Sequence, residues 1–169
     1  IMTKMNDAKY RYGFTGTLDG SQTHKWVLEG LFGPSYKVTQ TKELIDKGHL
    51  SKLQIRVLIL KHHDQKFDTY EDEVQFIIQN ERRNNFIKKL TLDLKGNTLL
   101  LYSRVESHGE ILFNLINSDT NRKVFFVHGG VAAEEREEIR KITEEESNAI
   151  IVASYGTFST GINIKTLHN

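Results

Sequence analysis

At 169 residues and 19.5 kDa the chain is long enough to bury a core, and with 38% hydrophobic and 27% charged residues it has a globular, not a fibrous, composition. No apolar run approaches the roughly 20 residues of a membrane-spanning helix, so a membrane protein of that kind is excluded. The absence of cysteine excludes disulfides, thiolate metal sites and cysteine nucleophiles, and a net charge of +1 gives no bulk electrostatic case for a nucleic-acid partner.

Residues 1–7 are polar and mixed and do not resemble a signal peptide, so a cytoplasmic location is expected. A strand is expected at 10–14, followed by Thr15-Gly16-Thr17. Trp26, Val27, Leu28, Leu31 and Phe32 have helical spacing, and Gly33-Pro34 then turns the chain toward a strand-like stretch at 36–38. The pattern changes there, which divides the chain into residues 1–34 and 35–169. Leu53, Ile55, Val57 and Ile59 alternate with period two and predict a strand. From 70 to 94 the apolar positions recur at helical spacing around a polar stretch at 79–85, which fits one bent helix or two.

Beyond the turn dipeptide Gly96-Asn97, three apolar runs at 98–102, 123–127 and 149–153 are nearly evenly spaced. Between the first two, Ser107-His108-Gly109-Glu110 reads as a capping box opening a helix with Ile111, Leu112, Leu115 and Ile116. Between the second two lies a Glu-rich helix around Ile139 and Ile142, whose Arg136, Arg140 and Lys141 suggest a solvated face. Short strands alternating with helices imply parallel pairing under a cover of helices, an α/β fold.

In such a sheet ligands bind outside the carboxyl ends of the strands. The segments there are Thr15-Gly16-Thr17, Ser103-Arg104, His128-Gly129-Gly130, and Ser154-Tyr155-Gly156-Thr157 leading to Ser159-Thr160-Gly161. Hydroxyls donate hydrogen bonds without carrying charge and glycine lets backbone amides approach closely, so this chemistry suits phosphate oxygens. The competing explanation for any one loop is ordinary turn chemistry. His62-His63-Asp64 lacks a recognisable metal-ligand spacing and reads as a solvated turn. Asp72-Glu73 superficially matches the acidic box of nucleotide-dependent motors, but it opens a predicted helix instead of ending a buried strand. No G-x-x-x-x-G-K-[ST] phosphate cradle and no G-x-S-x-G elbow occur.

Taken in order, these segments resemble the later motifs of superfamily two helicases. Residues 14–18 resemble motif III, 99–104 motif IV, and Val127-His128-Gly129-Gly130 with Glu135-Arg136 motif IVa. Residues 151–164 resemble motif V. Within the superfamily, 153–162, 165–169 and 103–109 most resemble recombination helicases of T-even bacteriophages, and 36–50 is similar to the interlobe stretch of that branch and of type I restriction motors.

The resemblance implies a RecA-like, mainly parallel sheet, with residues 1–34 as the tail of lobe one and 35–169 as lobe two. The chain would then be a fragment of a longer motor, running from just before motif III to a point before motif VI. It implies that Thr15, Gly16 and Thr17 couple nucleotide state to lobe closure. Ser103, Arg104, His128, Gly129, Ser154, Thr157 and Thr160 would hold one DNA strand by its phosphates, the first motif V hydroxyl role falling to Ser154 or Tyr155. Gly161 and Asn163 would approach the nucleotide, Asn163 standing where the family commonly has aspartate. ATP and Mg2+ would belong to the full-length parent, DNA and the missing lobe would be the partners, and the fragment alone would be inactive. The alternative is a non-enzymatic α/β module that binds phosphate or nucleotide.

Overall fold

The computed structural model describes residues 8–16, 20–61, 63–158 and 164–169. These fall into two compact units, Ile1–Leu58 and Ile59–Asn169.

The first unit is built around helix α1 (Gln22–Phe32), opened by the Ser21 hydroxyl, which accepts from the His24 amide. Gly33 at φ 89° ends it, and Pro34 prevents its continuation. The Glu29 carboxylate reaches over that turn to accept from the Ser35 amide (3.3 Å) and hydroxyl (2.8 Å), which holds its pKa below the ordinary carboxylate value. A short helix α2 (Thr41–Asp46) follows. The strands expected at 10–14, 36–38 and 53–59 do not form: these residues take no regular structure, and Phe14 is 96% exposed. Alternation shows only that a segment would suit a pleated surface, whereas a strand exists only when a second segment accepts its hydrogen bonds. Among the described residues none pairs with these three.

The second unit opens with two helices, α3 (Tyr70–Gln79) and α4 (Glu81–Asp93), not one bent helix. Asn80 makes the break: its backbone is extended, and its side-chain oxygen accepts from the Arg83 amide at 2.9 Å to cap α4. Strands β1 (Thr98–Tyr102), β2 (Val124–Val127) and β3 (Ile150–Ser154) form a parallel sheet in the order β1-β3-β2. Helices α5 (Glu110–Asn117) and α6 (Ala133–Glu145) connect them, and a single turn α7 (Tyr155–Phe158) follows β3. The capping box is not made. Residues Val105–Gly109 instead form a π-helical turn running directly into α5, and no side chain caps the junction.

The central strand explains the two-sided core. Ile150 and Val152 pack with Tyr102 and Ile116, joined by Leu92 of α4 and Phe113 of α5. The alternate residues Ile151 and Ala153 pack with Val127, Ile139 of α6 and Phe158 of α7. Period-two geometry thus sends successive β3 side chains into helices on opposite faces, and Ile150, Ile151, Val152 and Ala153 are all fully buried.

Two polar side chains secure the amino-terminal edge of this sheet. Fully buried Asn97 donates from Nδ2 to the Thr143 carbonyl (2.9 Å) and the Glu146 carbonyl (2.7 Å), with the Thr166 hydroxyl at 3.0 Å. Its Oδ1 accepts from the Ala149 amide at 2.8 Å, so one amide group joins the start of β1, the end of α6, the entry to β3 and the segment 164–169. Arg122 donates to the carbonyls of Leu94 (2.8 Å), Gly96 (2.9 Å) and Asn148 (2.9 Å), closing the end of α4 onto the same edge.

Removing the Asn97 side chain strands several buried groups at once, so Asn97→Ala is expected to cost about 2 to 4 kcal/mol. Ile151→Ala opens a cavity in a strand with no exposed face and is expected to cost about 2 to 5 kcal/mol. Urea denaturation of both variants checks this, and a loss under about 1 kcal/mol in either would place that residue outside the core.

Candidate nucleic-acid interface

Because the three strands are parallel, their carboxyl ends share one edge, and the register pairs Tyr102 with Ser154 and Val127 with Ala153. The loops beginning at Ser103, at His128 and at Ser154 therefore emerge side by side.

Each loop has its own local cause. At β3, the buried Phe158 ring anchors α7 in the core, which folds the chain back so that the Ser154 and Thr157 hydroxyls lie 2.6 Å apart. At β2, the His128 ring folds over its own loop. Its Nδ1 accepts from the Gly130 amide at 3.1 Å and its carbonyl accepts from Val131 at 3.0 Å. With Nδ1 an acceptor, the neutral ring carries its proton on Nε2 as a donor. A side chain at Gly130 would sit 2.9 Å from that ring, whereas Gly129 faces open space. At β1, Ser103 is exposed, and Arg104 extends to Glu71 in the first turn of α3, Nη2 to Oε2 at 2.6 Å. Gln75 donates to the other Glu71 oxygen at 2.8 Å.

Behind β1, Tyr102 is 3% exposed, and its hydroxyl donates to the Val127 carbonyl at 3.2 Å. Burial first, then the nearby Glu110 charge, pushes its pKa up to about 12, so the hydroxyl keeps its proton. The π-helical turn places buried His108 with Nε2 3.1 Å from the Arg83 guanidinium. Burial, then the Arg83 charge, lowers its pKa to about 4, which leaves the ring neutral as the acceptor of that bond.

Ser103, Arg104, His128, Gly129, Ser154 and Thr157 are thus brought to one edge of the second unit. Thr15 and Gly16 belong to the first unit, where they follow an exposed irregular segment instead of a strand. Thr17, Thr160, Gly161 and Asn163 lie outside the described residues, as does His62. Among the described residues no group of three or more His, Asp or Glu could hold a metal ion, and no helix is long and apolar enough to cross a membrane. Sequence reasoning missed Glu71, Tyr102 and the His108–Arg83 pair. Gly109 was the available signal, a glycine placed where an added Cβ would lie 2.5 Å from the Tyr102 ring.

A three-stranded parallel sheet between helices, with these loops at its carboxyl edge, is the architecture of a RecA-like helicase lobe. No family model matches the chain. Over 177 residues, covering 100% of this chain, it is 33% identical to the ATP-dependent DNA helicase uvsW of Enterobacteria phage T4. The crystal structure of T4 UvsW superimposes with a TM-score of 0.53 at 41% identity, covering 61% of this chain and 21% of that one. The chain is UvsW-like over its whole length in sequence and over part of it in structure. It spans 35% of the length of that relative.

The low pKa of His108 has a defined pH signature. In the unfolded chain the ring takes up a proton near 6.5, in the folded chain only near 4, so acid favours unfolding between those values. Stability is expected to be complete above pH 6.5 and to fall progressively toward pH 4. His108→Gln, which keeps an acceptor for Arg83 without titrating, should flatten the melting-temperature profile between pH 6.5 and 4.5. An identical profile in the variant would show that His108 does not contribute.

Proposed function

We propose that the chain is part of an ATP-dependent superfamily two DNA helicase or translocase, of the kind that acts in recombination, branch migration or replication-fork remodelling. Its own contribution is to grip one DNA strand by the phosphate backbone. The observation that supports this best is the shared carboxyl edge, where Ser103, Arg104, His128, Gly129, Ser154 and Thr157 present hydroxyls, an imidazole, a guanidinium and an unobstructed glycine side by side. Such donors fix a backbone in register without reading bases, so binding is independent of sequence. Thr160 extends the same set by its place in motif V.

The remaining roles follow the family motifs. Thr15, Gly16 and Thr17 couple nucleotide state to closure of the two lobes, and Gly161 and Asn163 approach the nucleotide from the lobe-two side. Residues 1–34 are the tail of lobe one and 35–169 belong to lobe two. ATP and Mg2+ are assigned to the parent chain, following the ATP-dependent helicase this chain resembles, since the sequence here has no phosphate cradle. The chain alone is therefore inactive as a motor, and its partners are DNA and the other lobe. If phage-encoded, as the relative it resembles is, it works in the cytoplasm of the host cell.

Two variants test the grip. Thr157→Ala is expected to weaken single-stranded oligonucleotide binding by about 1 kcal/mol, the worth of one hydrogen bond, with the melting temperature unchanged. Glu71→Gln frees Arg104 from its ion pair and is expected to strengthen binding and steepen its salt dependence by about one phosphate contact. If both variants bind like the parent, the DNA path does not cross this edge.

A further inference from the structure

We propose that Tyr102 is a positioning residue that holds the loops after β1 and β2 in one row for the DNA backbone, acting through its hydroxyl on the Val127 carbonyl. This rests on the nucleic-acid reading above.

The argument begins with topology. Strands β1 and β2 are not neighbours, because β3 lies between them, so no ladder hydrogen bond can set the Ser103 loop relative to the His128 loop. The Tyr102 hydroxyl makes that connection. It reaches from the last residue of β1 to the last carbonyl of β2, at 3.2 Å, immediately before His128. The ring supports the same link: it stacks on Phe126 with centroids 5.6 Å apart and planes at 18°, and Phe126 in turn lies 5.4 Å from the His128 ring.

Gly109, at the end of the π-helical turn, leaves the space the Tyr102 ring occupies, since a side chain there would sit 2.5 Å from it. The cluster around Tyr102 is otherwise aliphatic or aromatic, built of Ile116, Ile150 and Val152 with Phe113 and Phe126. Phenylalanine would fill it equally well. A buried hydroxyl is costly unless bonded, so the distinctive consequence of tyrosine here is the hold on Val127 and on the loop that follows.

Tyr102→Phe in the 169-residue chain removes that bond and keeps the ring. The expected result is an unchanged fold by circular dichroism and faster hydrogen exchange at the Gly129, Gly130 and Val131 amides. Single-stranded oligonucleotide binding should be about three- to tenfold weaker. In a His128→Ala background the same change should weaken binding less, because the loop it positions has already lost one of its contacts.

Equal losses in both backgrounds, or unchanged exchange and affinity, would overturn the positioning role. So would loss of the fold, which would make the hydroxyl a requirement of the core. Parent chain that binds and is weakened by Thr157→Ala but not by Tyr102→Phe would overturn this inference alone. Parent chain that binds no oligonucleotide at low salt would overturn the nucleic-acid reading and this role with it.

Discussion

The buried side chain of Asn97 is the interaction on which the second unit depends. Four parts of the chain distant in sequence meet at its amide: the start of β1, the end of α6, the entry to β3 and the segment containing Thr166. A primary amide offers both donors and an acceptor, so it can satisfy carbonyls at a helix end and an amide entering a strand together. Arg122 serves the end of α4 on the same edge, its guanidinium fork spread over five backbone carbonyls. With the amino-terminal edge closed in this way, the strand ends there are spent on structure.

The opposite edge is the one proposed to hold DNA. The residues after β1, β2 and β3 are not engaged in comparable networks, and their hydroxyls, glycines and imidazole follow immediately on strands that the core holds rigid. Preorganised donors on short loops over a rigid sheet can hold a backbone without reordering, which is how a weakly charged surface grips a polyanion. The net charge of +1 accords with a weakly charged edge, whose guanidinium, Arg104, is ion-paired with Glu71.

The second unit was legible because its signals are local. Apolar runs at 98–102, 123–127 and 149–153 became β1, β2 and β3 within a residue, and the intervening helices fell where helical spacing put them. The first unit was not, because the alternation of Leu53, Ile55, Val57 and Ile59 describes a face and not a partner. The misread capping box at 107–110 has a related cause: sequence shows the residues of a cap, whereas the π-helical turn is set by the Tyr102 ring filling the space beside Gly109. The loop residues of the candidate site could be named from strand ends alone, but Glu71 and Arg104 are 33 positions apart and meet only when α3 packs against the π-helical turn. Roles at Thr17, Thr160, Gly161 and Asn163 rest on the motif order.

The central claim is that this edge holds DNA by its phosphates, and it is tested most directly by the salt dependence of binding. Labelled single-stranded oligonucleotides of differing base sequence would be titrated with the chain across a salt series. The account predicts affinity that falls linearly on a log–log plot with the same slope for every sequence, as counterions return to released phosphates. Affinity that does not change with salt, or that follows base sequence, would contradict it.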